Sequence, residues 1–156
     1  MMRRAFTLVE ILIVVVILGI LAALVTPQLV GATEESAIAA TMTDLSKLRR
    51  AVGVYHARWQ DYPPIFTGDA SGITDGTGPW GPLVQAIQPD GRPGEYFTQV
   101  PVNSYVGGAN ARFVEAVSGT GPDAAFHTNY GWLYNPDNGE VYAACFDGND
   151  RPIPRP

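Results

Sequence analysis

The chain has 156 residues, enough for one domain and an anchor, and its formal net charge is −5. This acidic balance argues against nonspecific nucleic-acid binding, which needs a basic surface. Two His and one Cys leave little for a metal cluster or a redox pair. Cys145 has no disulfide partner within the chain, and we expect it to be buried and inert.

The first element is an apolar run that carries a single carboxylate, Glu10, near its start. As a helix, the run from Phe6 to Val25 would be about 30 Å long, which matches the hydrocarbon core of a bilayer. Arg3 and Arg4 precede it and favour a cytoplasmic N-terminus. A cleaved secretory signal and a plain membrane anchor are competing interpretations. Neither explains Glu10, because a charge at the bilayer centre costs about 2.5–3.5 kcal/mol.

The residues around this carboxylate form a motif. Arg3-Arg4-Ala5, then Phe6-Thr7-Leu8-Val9-Glu10 and an unbroken apolar helix, resemble the N-terminus of the type IV pilin and type II secretion pseudopilin family. The resemblance implies that a prepilin peptidase cleaves between Ala5 and Phe6 and N-methylates the new Phe6 amine. It also implies that Phe6 and Glu10 act in subunit assembly. Ala5 stands where the family usually has Gly.

Elementary electrostatics agrees with this role for Glu10. Cleavage would give Phe6 an ammonium group, and opposite charges in a low-dielectric setting offset each other's desolvation. If the amine of a neighbouring subunit meets Glu10, the pair sets the axial register of a helix bundle. Uncleaved subunits lack the amine, so this pairing would keep them out of a filament.

A single long helix is predicted from Phe6 to about Asp61. Its first part, residues 6–27, is the predicted transmembrane and assembly segment, and Gly19 and Pro27 predict a kink or a weakened stretch there. Close helix packing at the small residues is the alternative interpretation. Residues 28–61 form an amphipathic helix whose apolar stripe recurs at steps of three and four, at Ile38, Met42, Leu45, Leu48, Val52, Tyr55 and Trp59.

The remaining chain is rich in Gly and Pro, which predicts short strands and loops. Residues 62–110 read as a loop-rich connection with one short helix at Pro82–Ile87. Residues 111–148 contain a predicted strand at Arg112–Val117 and a hairpin around the turn Asn135–Gly139. Residues 149–156 form a Pro-rich extended tail. The predicted fold class is α+β: the long helix packs against a small antiparallel sheet, as in the ladle-shaped subunits of the resembling family.

No catalytic constellation is visible in the sequence, so we predict that the protein is not an enzyme and needs no cofactor. His56 and His127 read as surface or packing residues. Calcium is the one metal considered, because Asp147 and Asp150 offer hard oxygen ligands close together and some related pseudopilins bind calcium in a C-terminal loop. Ordinary turn chemistry also explains these residues.

The predicted function is that of a structural subunit of a type II secretion pseudopilus, polymerised into a helical filament for protein export. A type IV or competence pilus subunit is the alternative within the family, and a membrane-anchored extracytoplasmic binding domain is the alternative from another class. Expected partners are copies of the chain, minor pseudopilins, prepilin peptidase, and an inner-membrane platform protein with its ATPase motor. The predicted location is the inner membrane, single-pass, with the C-terminal domain extracytoplasmic, before entry into the filament.

Overall fold

The computed structural model describes residues 7–69, 78–84, 96–97 and 99–156, without the side chains of residues 24–30. The predicted leader, residues 1–5, and the cleavage-site residues Ala5 and Phe6 lie outside the described residues. Within the described ranges, no helix is both long and apolar enough to cross a membrane. The chain divides into two compact units, Met1–Ser36 and Ala37–Pro156.

The predicted long helix is confirmed as α1, which runs from Leu8 to Trp59 over 52 residues. It ends where Gln60 takes a left-handed backbone conformation with φ of 58° and donates its N–H to the carbonyl of His56. This is a common way to close a helix, and the prolines that follow Tyr62 prevent its continuation.

The amphipathic stripe in the second half of α1 is also confirmed. Leu45, Leu48, Val52 and Tyr55 are buried, and the stripe's other members are partly buried against the same core: Ile38, Met42 and Trp59. Burial of each large apolar side chain contributes about 1.5–3 kcal/mol. This face therefore holds the second half of α1 to the rest of the unit Ala37–Pro156.

The short helix predicted at Pro82–Ile87 corresponds to α2, Gly81–Val84; the prediction's last three residues lie outside the described residues. A 3-10 helix at Ala109–Arg112 leads into the sheet. The three strands are β1, Val114–Ala116, β2, Trp132–Tyr134, and β3, Val141–Ala143, in the spatial order β1-β2-β3.

The sheet is mixed, which corrects one detail of the prediction. The hairpin β2–β3 is antiparallel as expected, with Trp132 opposite Ala143, but β1 pairs with β2 in parallel, with Val114 opposite Trp132. The reason is the connection over residues 117–131, which carries the chain back before β2 begins, so both strands run in the same direction. The α+β class, with a long helix and a small sheet, is confirmed.

The core of the second unit lies between the sheet and α1. Its largest fully buried side chains are aromatic and come from four separate segments: Trp80, Tyr105, Trp132, Tyr134 and Phe146. The tail also joins this unit, since the Ile153 N–H donates to the Cys145 carbonyl at 2.8 Å. In addition, the Arg155 guanidinium lies 4.8 Å from the centre of the Tyr105 ring.

Candidate functional site

The start of α1 is closed by a reciprocal pair of side chains, Thr7 and Glu10. The Thr7 N–H and hydroxyl donate to Glu10 Oε2 at 2.9 and 3.0 Å, and the Glu10 N–H donates to Thr7 Oγ1 at 3.3 Å. This is a capping box, in which two otherwise unpaired backbone donors of the first turn are satisfied. Sequence reasoning missed it, although the spacing Thr-x-x-Glu before an apolar run was the signal.

The apolar side chains that follow the capping box are uncovered in the isolated chain. The large ones from Leu8 to Leu21 are between 51% and 84% exposed. They point to every side of the helix, because nearly every position in the stretch is apolar. A helix that is apolar all round is stable only when lipid or other protein surrounds it.

The two predicted kink positions both lie inside α1, whose helix continues without interruption across them. A Cβ atom added at Gly19 would meet nothing within 4 Å. The side chain of Pro27 lies outside the description, so the kink stays a prediction. The pairing of Glu10 with Phe6 also stays a prediction, since Phe6 is not described.

The two predicted calcium ligands have other partners. Asp147 Oδ1 accepts the backbone N–H groups of Arg151 and Asn149 at 2.9 and 2.8 Å, and these bonds lower the pKa of the Asp147 carboxyl. The Asp150 carboxylate accepts two hydrogen bonds from the Arg49 guanidinium, at 2.6 and 2.8 Å. The calcium hypothesis stays a prediction, and a calcium ion would have to compete with these donors.

A different cluster brings together Asp123, His127 and Cys145. One ligand atom from each lies within 4.8 Å of the other two. His127 Nε2 is 2.8 Å from Asp123 Oδ2, which also accepts the Cys145 N–H at 2.8 Å. The Cys145 thiol donates to the His127 carbonyl at 2.9 Å. Cys145 is buried as predicted, and burial raises the pKa of its thiol.

Sequence reasoning did not find this cluster. His127 was expected to be a surface or packing residue. It precedes the β2–β3 hairpin in the sequence, whereas Cys145 follows the hairpin. The three residues form no compact motif, and only the return of the chain over residues 117–131 brings them together. The nearest signal was Asp123 four residues before His127, a spacing that is uninformative without a defined helix.

The capped apolar helix, with a small mixed sheet covering its amphipathic second part, defines the class of pilin-like subunits. Residues 1–26 match the family described as the prokaryotic N-terminal methylation motif. No solved structure is significantly similar to the chain.

Similar curated proteins identify the family within this class of pilin-like subunits. The type II secretion system core protein G of Pseudomonas aeruginosa is 33% identical over 103 residues, 66% of this chain and 68% of the relative. The proteins of the same name from Vibrio cholerae and Pectobacterium carotovorum are 39% and 37% identical, over 53% and 48% of their lengths. The chain thus spans about half the length of these last two. It belongs to the family of type II secretion system core protein G, the major pseudopilins.

Proposed function

We propose that this protein is the pseudopilin subunit that polymerises into the filament of a type II secretion system. The observation that carries the proposal is the match of residues 1–26 to the N-terminal methylation motif, in a chain whose relatives are core G proteins. The exposed apolar side chains of α1 support it, since they need neighbours that the isolated chain does not provide. The role is structural, so no catalytic step is assigned to the chain.

Before assembly, the subunit waits in the inner membrane. Residues 6–27 cross the bilayer once, with the N-terminus cytoplasmic and the C-terminal unit extracytoplasmic. Prepilin peptidase cleaves between Ala5 and Phe6 and methylates Phe6. A platform protein and its ATPase motor then add subunits to the filament, together with minor pseudopilins.

Glu10 has two roles in this proposal. In the isolated chain its carboxylate accepts the Thr7 donors and closes the helix. In the filament it also receives the Phe6 amine of a neighbouring subunit. The two roles use different properties of the side chain: the cap needs an acceptor oxygen, which Gln also has, whereas docking of an ammonium needs the negative charge.

The intact mass of the protein purified from membranes tests maturation. We expect a loss of residues 1–5 and the addition of one methyl group. Cleavage after Ala23, or retention of the leader in assembled filaments, would contradict the proposal.

A deletion strain separates secretion from motility. Loss of exported proteins supports the pseudopilus, and loss of surface fibres alone supports a type IV pilus.

Three substitutions separate docking from capping. Glu10→Gln should keep the helix start but abolish filaments, because the charge is lost. Thr7→Ala removes the cap partner but keeps the charge, so it should assemble with at most a modest loss. Glu10→Ala should fail like Glu10→Gln. Normal filaments from Glu10→Gln, with equal membrane levels of all variants, would refute the docking role.

A further inference from the structure

We propose that Asp123, His127 and Cys145 form a binding site for a divalent metal ion of borderline softness, with Zn²⁺ as the best fit. The site lies in the second unit, on the connection between β1 and β2 and just after β3. It is independent of the N-terminal motif and of the proposed filament function.

The donor set selects the class of metal. One carboxylate oxygen, one imidazole nitrogen and one thiolate sulfur are ligands that Zn²⁺ accepts together, whereas Ca²⁺ and Mg²⁺ prefer oxygen alone. The three donor atoms already lie within 4.8 Å of one another. Bonds of about 2.0–2.3 Å to a central ion in a tetrahedron would place the donor atoms about 3.3–3.8 Å apart. The donors of Asp123 and His127, now 2.8 Å apart, would therefore separate slightly, and modest side-chain adjustment is enough.

The surrounding contacts hold the carboxylate in place and leave the site accessible. The Tyr130 hydroxyl donates to Asp123 Oδ1 at 2.8 Å, and such a contact to a ligand's second oxygen fixes its orientation. The side chain of Asp123 is 8% exposed and that of His127 is 22% exposed. An ion can therefore enter past the imidazole while Cys145 stays buried. A water molecule would complete the coordination, as in sites with three protein ligands.

The protons that the metal displaces have defined destinations. His127 Nδ1 now accepts the N–H of Asn129 at 3.3 Å, so the imidazole proton lies on Nε2 and points at Asp123. On metal binding, the neutral imidazole changes tautomer: Nε2 gives its proton to solvent and Nδ1 takes one from solvent, so the ring stays uncharged. The Asn129 N–H turns to water, which is possible because Asn129 is exposed. The thiol proton, now donated to the His127 carbonyl, is released to solvent.

Binding would fasten the connection 117–131 to the chain just after β3, where the tail is also held through the Cys145 carbonyl. The metal would thus stabilise the folded second unit by an amount that rises with the logarithm of the free metal concentration once this exceeds the dissociation constant.

The test uses the full mature chain in detergent, stripped with a chelator and titrated with Zn²⁺ alone. We expect one ion per chain by native mass spectrometry and a higher melting temperature. Cys145→Ala and His127→Asn should each weaken binding about 10-fold or more. His56→Asn is the matched control, because His56 lies on α1 away from the cluster, and it should bind as the parent does.

Cobalt provides a readout that does not depend on the variants. Co²⁺ added to the stripped parent chain should give a sulfur-to-cobalt charge-transfer band, which requires Cys145, the sole cysteine. Absence of this band, or no Zn²⁺ binding by the parent, would overturn the proposal even if the cysteine variant fails to fold. Equal weakening by His56→Asn would also overturn it, because binding would then not be site-specific.

Discussion

Asn103 links several backbone segments of the second unit by hydrogen bonds. Its side chain is fully buried, and its amide donates to the carbonyls of Gly131 and Ala144 at 2.8 and 3.0 Å. Its carbonyl oxygen accepts the N–H groups of Tyr105 and Val106, both at 3.0 Å. One side chain thus satisfies backbone groups from three segments. The Gly131 carbonyl also accepts the Ala144 N–H, and the Tyr105 N–H also donates to Thr41 Oγ1, so the Ala144 carbonyl and the Val106 N–H depend on Asn103 most.

Asn103→Ala should therefore destabilise the protein by about 3 kcal/mol or more, because each buried backbone group left unpaired costs about 1–3 kcal/mol. Urea unfolding followed by tryptophan fluorescence measures the change. Asn138→Ala is the control, since Asn138 lies in an exposed turn and should cost under about 1 kcal/mol. Equal losses for the two variants would show that burial of the Asn103 network is unimportant.

Tyr134 should make the free energy of unfolding decrease at alkaline pH. Burial raises the pKa of this phenol well above its ordinary value, and the hydroxyl donates to the Pro63 carbonyl at 2.9 Å. A group whose folded pKa is raised contributes stability that is complete below its unfolded pKa, about 10 for Tyr, and is lost as pH rises above it.

We therefore expect the free energy of unfolding to fall steadily above about pH 10. Tyr134→Phe should start from a lower stability at pH 7, because it loses a hydrogen bond, but should fall less steeply at alkaline pH. Parallel pH profiles for the parent and Tyr134→Phe would mean that other groups cause the alkaline loss.

At the scale of elements, Arg49 joins α1 to the segment that follows the sheet. Besides its two bonds to Asp150, its Nε donates to the carbonyl of Val141, in β3, at 3.1 Å. The side chains of Arg49 and Asp150 are 40% and 29% exposed, so solvent screens much of this pair. Its paired geometry and the backbone contact still make it stronger than a simple surface ion pair.

Arg49→Ala should cost about 1–2 kcal/mol in the free energy of unfolding, and a double-mutant cycle with Asp150→Ala should give a coupling of about 1 kcal/mol. Lys47→Ala is the control, because the Lys47 side chain is 62% exposed in its pair with Asp44 and should cost little. A coupling near zero would show that the link to Asp150 is only a surface contact.

The elements that sequence predicted well are those with a local signal. The stripe containing Leu45 and Leu48 has a helical period, and the hairpin turn at Asn135–Gly139 carries its own turn chemistry. The parallel pairing of β1 had no such signal, since it depends on the path of residues 117–131. The cluster of His127 and Cys145 was missed for the same reason.

At the scale of the whole molecule, the buried core defines which part of the chain folds as a unit. The most N-terminal side chain that is fully buried is Thr41, among the residues described, and the next ones are Leu45 and Leu48. All of them lie within the compact unit Ala37–Pro156. Among the described side chains, the core residues and those packed against them all lie within this unit, beginning at Ile38.

The fragment 37–156 should therefore fold without detergent, with a cooperative thermal transition and a near-UV circular dichroism spectrum from its packed aromatic side chains. The fragment 50–156 is the matched control. It lacks Leu45 and Leu48, whose burial contributes about 1.5–3 kcal/mol each, a large share of the 5–15 kcal/mol typical of a domain. It should show no cooperative transition. If both fragments fold equally well, the part of α1 before residue 50 contributes no essential surface to the core. If neither folds, the unit depends on the helix before residue 37.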